Sequence, residues 1–168
     1  MPSNFTLYSP HKRFPEDYLY RTDLPLDVKI DRQVKDPEIA CQYILTLSNF
    51  KITLNVMRES EMPNHLKGLA GYVIHLYNGK PDKRGQLIIQ RILSTGMVLG
   101  GIIEPDADSS PQTLQLVYAL AEMTKSMIFI NGYLLDHLDR RILAPDLQYD
   151  RRAIIDPAAP SKPWWKFW

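Results

Sequence analysis

The sequence predicts an α+β fold, a single domain with a mixed sheet of about four to six strands and helices packed on one face. Three stretches support this prediction. Residues 50–58 alternate apolar and polar side chains, which is the period of a half-buried strand. Residues 63–77 repeat apolar side chains at spacings of three and four, as in an amphipathic helix. Residues 97–130 place an apolar run, a helical pattern and a second apolar run in succession.

The last of these stretches predicts a βαβ unit. Val98–Ile103 has the composition of a buried strand, and Met127–Ile130 that of a returning strand. Between them, Ser109-Ser110-Pro111 supplies a cap and a first-turn proline for a helix that extends to Ser126. A helical crossover of this kind joins parallel strands and is right-handed, so we expect the two strands to be parallel neighbours.

The N-terminal third is harder to assign. Residues 1–35 predict an extended arm, because proline removes a backbone donor and favours extended geometry before it. A short edge strand over Leu24–Ile30 fits the alternation there. Residues 38–47 fit both a helix and a strand, and Asp36-Pro37-Glu38, a good helix start, slightly favours the helix.

The turn signals place the remaining elements. Asn78-Gly79 ends the helix of residues 63–77, and residues 87–92 predict a short second helix. Asn131-Gly132 predicts a tight turn, with a returning hairpin strand or one helical turn within residues 134–143. The predicted domain therefore spans residues 36–150, and residues 151–168 form a proline-rich linker and an aromatic tail.

Composition narrows the classes of function. The net charge is +1, from 20 Lys and Arg against 19 Asp and Glu, so we expect no nucleic-acid partner. Cys41 is the single cysteine, which excludes an intramolecular disulfide and favours a reducing compartment. We expect neither a secretory signal nor a membrane span, and therefore a cytoplasmic protein. No cofactor fingerprint or nucleophile pair stands out, so an enzyme is the less favoured class and no cofactor is expected.

The acidic loop Glu104-Pro105-Asp106-Ala107-Asp108 is a weak candidate metal site. It follows a predicted strand and precedes a predicted helix, at the kind of sheet edge where ligands gather. Three carboxylates can hold a hard cation such as Mg²⁺. The favoured interpretation is simpler, because acids before a helix start stabilise its dipole. A small metal-dependent or small-molecule-acting enzyme using Glu104, Asp106 and Asp108 is thus an alternative function.

The turn at residues 136–141 is a second weak candidate. It places one histidine between two carboxylates and two arginines, in the order Asp136, His137, Leu138, Asp139, Arg140, Arg141. Neighbouring carboxylates favour the charged form of a histidine, which then serves as a base or a pH switch. A solvated turn with local ion pairs is the favoured interpretation.

The C-terminal tail has the least ordinary composition. All three tryptophans lie in its last five residues, in the order Trp164, Trp165, Lys166, Phe167, Trp168. The four aromatic side chains together offer about 600 to 1,000 Å², more than a usual exposed apolar patch. They predict docking on the protein's own surface, contact with a protein partner or a second copy, or attachment at a membrane interface.

The order of elements in residues 60–145 resembles that of small uncharacterised bacterial cytosolic proteins, including immunity proteins of toxin systems. The resemblance lies in the helix-rich middle, the strand with Gly100-Gly101, the crossover helix and Asn131-Gly132. It implies a cytosolic protein that blocks a toxin partner by occlusion. The expected function is a non-catalytic protein-binding module, with a metal-dependent enzyme and a peripheral membrane protein as alternatives.

Overall fold

The computed structural model describes residues 3–21, 25–106 and 111–156. Their fold is α+β, an open sheet of eight antiparallel strands with four helices. The strands are β1 (Ser3–Ser9), β2 (Asp27–Asp31), β3 (Ile39–Leu47), β4 (Phe50–Met57), β5 (Met97–Glu104), β6 (Met127–Ile130), β7 (Tyr133–Leu135) and β8 (Arg141–Leu143). The helices are α1 (Glu16–Leu19), α2 (Met62–Leu76), α3 (Lys83–Leu93) and α4 (Pro111–Thr124).

The strand order β2-β3-β4-β5-β1-β6-β7-β8 corrects the predicted sheet in three respects. It has eight strands rather than four to six, and every pair is antiparallel rather than mixed. The two strands of the predicted βαβ unit, β5 and β6, run in the same direction but are not neighbours. The predicted neighbour pairing is wrong because β1 lies between them and bonds to both.

The first strand is the reason for this difference. Ser3–Ser9 belongs to the stretch expected to be an extended arm, and it is extended, but it lies inside the sheet. Leu7 of this strand is fully buried and pairs with Leu99 on one side and Ile128 on the other. Burial of this kind on both sides needs partners about 90 residues or more away, which no local pattern predicts.

Helices cover both faces of the sheet, which corrects the prediction of one covered face. Successive strand residues point to opposite faces. Leu7 and Leu99 pack in a core with α4, whereas their neighbours Tyr8 and Val98 pack in a second core with α2 and α3. Along the sheet, the first core extends from β3 through β4, β5 and β1 to β6, and the second from β5 through β1, β6 and β7 to β8. The two helical layers are therefore offset diagonally across the sheet.

Residues 38–47 are mainly a strand, so the slight preference for a helix there was wrong. In β3 every second side chain, Cys41, Tyr43, Leu45 and Leu47, is buried against the first core. β3 also pairs along its length with β2 and β4. Pairing on both sides outweighs the local helix start at Asp36-Pro37-Glu38, because most secondary-structure stability comes from tertiary packing.

Most other elements are confirmed. The alternation at residues 50–58 forms β4, the apolar runs form β5 and β6, and the helical pattern that begins at Pro111 forms α4. The cap predicted at Ser109 and Ser110 lies outside the described residues. α2 ends where Asn78 and Gly79 take positive φ angles of 52° and 77°. In β5, Gly101 pairs with Phe5, whose ring occupies the space that a Cβ atom would need. None of the helices in the described ranges is long and apolar enough to cross a membrane.

Candidate functional site

A cleft of about 660 Å³ lies at the β8 end of the sheet. It is on the α4 face, where its apolar residues Ile130 and Leu135 pack against the border of the α4 core. Its lining combines two tyrosines, two arginines, two amides and two carboxylates around a small apolar floor: Ile130, Asn131, Tyr133, Leu135, Asp139, Arg140, Arg141, Gln148, Tyr149 and Asp150. Three of the five residues of the polar cluster predicted at positions 136–141 thus line one cleft.

Asp136 is a buried organising residue rather than a group of the cleft. Its side chain is 1% exposed. Oδ1 accepts hydrogen bonds from the backbone N–H groups of Leu138 and Arg140, both at 2.9 Å. Oδ2 accepts from Arg140 Nε at 2.8 Å and from the backbone N–H of Ile154 at 2.9 Å. One carboxylate therefore shapes the β7–β8 turn and ties it to the segment that follows β8.

Both tyrosines of the cleft are paired with arginines. The Arg141 guanidinium lies 5.3 Å from the centre of the Tyr133 ring, and the Arg84 guanidinium lies 3.7 Å from that of Tyr149. Arg84 comes from α3 and also donates to the carbonyl of Ile142 at 2.9 Å. Such cation–π contacts orient rings that remain 36% and 46% exposed, respectively.

The carboxylates beside the cleft already have partners. Asp139 Oδ1 accepts a hydrogen bond from the Tyr118 hydroxyl at 2.6 Å. Asp150 accepts from Arg152, which lowers the pKa of the Asp150 carboxyl to about 2. Arg141 is an exposed cation that forms no ion pair within the described parts of the chain. The cleft therefore presents the exposed Arg141 cation, which has no ion pair within the described residues, and the Asp139 carboxylate, which is hydrogen-bonded to a neutral hydroxyl, beside two aromatic rings.

His137 does not behave as the sequence suggested. Burial lowers its pKa, and Lys125 lowers it further, while Asp136 and Glu122 act in the opposite direction with smaller effect. Its charged form is thus disfavoured, since the Asp136 carboxylate is committed to Arg140 and to backbone N–H groups. The expectation that the neighbouring carboxylates favour the charged form is therefore wrong in its direction, and the role of a base or pH switch stays a prediction. His137 also does not line the cleft.

The acidic loop is only partly described. Glu104, the last residue of β5, forms an ion pair with Lys51 on β4 at 2.7 Å. Asp108 lies outside the described residues. Within the described ranges, no group of three or more His, Cys, Asp or Glu side chains is placed to hold a metal ion. A metal site that includes Asp108 stays a prediction.

The predicted interaction residues of the tail, Trp164, Trp165, Phe167 and Trp168, also lie outside the described residues. To the turn at residues 136–141 the structure brings residues that the sequence did not connect with it, namely Tyr133, Tyr149 and Arg84. These come from β7, from the segment after β8 and from α3. Neither their spacing nor their periodicity connects them, so only the tertiary structure identifies them as neighbours.

Fold and site together define an open antiparallel α+β sheet with a tyrosine- and arginine-lined cleft at one end. Comparisons with protein-family models, curated proteins and solved structures found no match. The functional argument therefore depends on the chemistry of the site itself.

Proposed function

We propose that this protein is a non-catalytic protein-binding module that uses the cleft at the β8 end as its contact surface. The observation that supports this proposal is the pairing of Tyr133 and Tyr149 with arginines at an open, half-exposed cleft. Tyrosine and arginine are enriched at the energetic centres of protein interfaces, and lysine, glutamate and aspartate are depleted there. The lining has no lysine or glutamate, and both of its aspartates, Asp139 and Asp150, already accept hydrogen bonds.

Preorganisation supports the same proposal. Binding affinity is lost when side chains must be ordered on association. Here the Arg84 contact orients the Tyr149 ring, and Asp136 holds Arg140 through a short hydrogen bond. Backbone hydrogen bonds from Asp136 and Asp150 hold the surrounding turn and the strand that carries Arg141. The surface is therefore ordered before a partner arrives.

Charge indicates which residue types a partner presents. Arg141 is the cation of the cleft that has no ion pair within the described residues, whereas Asp139 accepts a hydrogen bond from Tyr118 and Asp150 is paired with Arg152. A partner segment with a carboxylate beside an aromatic or aliphatic side chain matches Arg141 and the tyrosine rings. The bacterial origin and the toxin-neutralising role that the sequence resemblance implies stay predictions within this class.

The test is affinity capture from source cells with the full chain and two charge-reversal variants. Arg141→Glu reverses the charge of the cleft, and Arg151→Glu makes the same change at an exposed residue that does not line it. We expect the wild type and Arg151→Glu to recover one stoichiometric protein partner, and Arg141→Glu to recover at least about tenfold less. Recovery of no partner, or equal recovery by both variants, would refute the proposal.

A further inference from the structure

The outer side of β2 is an edge of the sheet that no other described strand covers. In the part of the chain that the structure describes, β2 is the first strand in the sheet order and bonds only to β3. Within the described ranges, no backbone hydrogen bond reaches the other side of Asp27–Asp31. An edge strand presents alternate N–H and C=O groups that can pair with another strand.

The charged and the apolar side chains of this edge strand lie on opposite faces of the sheet. Asp27, Lys29 and Asp31 point to one face of the sheet, because they alternate with apolar residues. The apolar residues Leu26, Val28 and Ile30 are half-buried and pack against the first core. The row of apolar side chains in the first core therefore continues to the edge strand β2, where these side chains are partly exposed.

From this arrangement we propose that β2 pairs antiparallel with β2 of a second copy, in the register that places Val28 opposite Val28 of the partner subunit. Leu26 then lies opposite Ile30 of the partner subunit, which extends the apolar row across the interface. On the other face, Asp27 lies opposite Lys29 of the partner subunit, and the two-fold symmetry repeats this pair. The strand is thus complementary to itself in both charge and hydrophobicity.

The neighbouring registers fit less well. Centring the pair on Lys29 places lysine against lysine and Asp27 against Asp31 of the partner subunit, and directly opposed like charges are destabilising. Centring it on Ile30 places Val28 opposite Arg32 of the partner subunit. Arg32 is already paired with Glu16 at 2.7 Å, and Asp31 Oδ1 already accepts from the backbone N–H of Gln33 at 2.8 Å. The register centred on Val28 uses Asp27 and Lys29, which form no ion pair among the described residues.

The size of the contact sets its strength. A five-residue overlap is small compared with a stable protein interface, which buries about 1,200 to 2,000 Å². We therefore expect a reversible dimer that forms at concentrations on the order of 100 µM rather than a permanent one. The proposal is independent of the cleft, which lies at the opposite end of the sheet.

Sedimentation velocity of the full chain from about 10 µM to about 1 mM tests this dimer. Asp27→Lys and Lys29→Asp each turn both cross-strand ion pairs into like-charge pairs, so each is expected to weaken association about tenfold. The double variant Asp27→Lys/Lys29→Asp restores both pairs with reversed polarity and is expected to recover the wild-type affinity. Thermal unfolding of each variant checks that it is folded.

Asp31→Lys is the matched control. It makes the same charge change on the same strand, but in the proposed register Asp31 faces Pro25 of the partner subunit, so association is expected to stay within about twofold of the wild type. A wild type that is monomeric throughout, single variants that associate like the wild type, or a double variant that fails to recover would each overturn the proposal. Equal weakening by Asp31→Lys and Asp27→Lys would overturn its register.

Discussion

The two edges of the sheet differ in how their backbone groups are satisfied. At β8, the carbonyl of Arg141 accepts from the backbone N–H of Asp150 at 2.7 Å, and the carbonyl of Ile142 accepts from Arg84 at 2.9 Å. At β2, the described residues leave the outer side unpaired and protect it only with Asp27, Lys29 and Asp31. Carbonyl groups of the β8 edge therefore accept hydrogen bonds, whereas charged side chains protect the β2 edge.

This difference separates two kinds of interaction. Because the Arg141 and Ile142 carbonyls of β8 already accept hydrogen bonds, we expect the β8 end to recognise a partner mainly through side chains, and its cleft has the tyrosines and arginines for that. The β2 end offers backbone groups, and there the charge pattern decides which strand can pair. Substitutions that remove hydrogen bonds at the β8 end are expected to lower the free energy of unfolding. Substitutions at the β2 edge are expected to lower it only a little.

The largest effect is expected for Asp136→Ala at the β8 end. The substitution leaves the Arg140 guanidinium and three backbone N–H groups without their buried acceptor. Removing one partner of a buried ion pair costs about 3 to 5 kcal/mol of unfolding free energy. Urea denaturation measures the loss.

The matched control for this change is Asp146→Ala. Asp146 is exposed and accepts one hydrogen bond, from the backbone N–H of Gln148 at 3.1 Å. Its removal is expected to cost no more than about 1 kcal/mol. A loss for Asp136→Ala that is no larger than that of the control would contradict the role assigned to the buried carboxylate.

A smaller effect is expected for Arg84→Ala, which opens the β8 edge by one hydrogen bond and removes the contact with Tyr149. The unfolding free energy is expected to fall by about 1 to 3 kcal/mol, because the Ile142 carbonyl loses its charged donor. Amide hydrogen exchange at Asp150 is expected to accelerate. Lys83→Ala, at an exposed neighbour on α3, is expected to change stability by less than about 0.5 kcal/mol. Unchanged exchange at Asp150 would show that Arg84 does not hold the edge.

The smallest effect is expected near the β2 edge, at Glu16. The Tyr43 hydroxyl and Arg32 hold the pKa of the Glu16 carboxyl below its usual range. A lowered folded-state pKa stabilises the fold above the unfolded-state pKa of about 4.3, and this stabilisation is lost as the pH falls. Glu16 is partly exposed to solvent, so its contribution is below about 1 kcal/mol.

Chemical denaturation from pH 7 to pH 2.5 tests this expectation. Glu16→Gln is expected to be less stable than the wild type at pH 7, and the difference is expected to vanish in acid. Glu59→Gln, at an exposed position, serves as the comparison. A difference between Glu16→Gln and the wild type that persists unchanged in acid would show that the carboxylate charge is not its cause.

Comparing β4 with β3 shows how far sequence patterns could predict the fold. Residues 50–58 predict a strand because their apolar and polar side chains alternate, and Phe50–Met57 forms β4. Ile39–Leu47 alternates as well, but a good helix cap at Asp36-Pro37-Glu38 competes with the strand pattern. The competition was decided by pairing with β2 and β4. When the local preferences for helix and strand are of similar strength, the sequence alone cannot decide between them, because the outcome depends on which strands lie alongside.

The candidate site was predicted only in part. The sequence predicts a polar cluster in the turn Asp136–Arg141, and three of its residues, Asp139, Arg140 and Arg141, line the cleft. Its effect on His137 was predicted with the wrong sign, because burial outweighs the neighbouring carboxylates there. The tyrosines at 133 and 149 carry no signal in the sequence, since an isolated tyrosine is as common in a core as at a surface.

The sequence by itself determined the elements whose cause is local. Pro111 begins α4, Asn78-Gly79 ends α2, and alternation defines β4, because capping, backbone preference and periodicity act within a few residues. Only the tertiary structure decided that β1 lies between β5 and β6, and that Arg84 reaches Tyr149. Those contacts join residues 65 or more positions apart, and the free energy of packing them exists only once the whole sheet has formed.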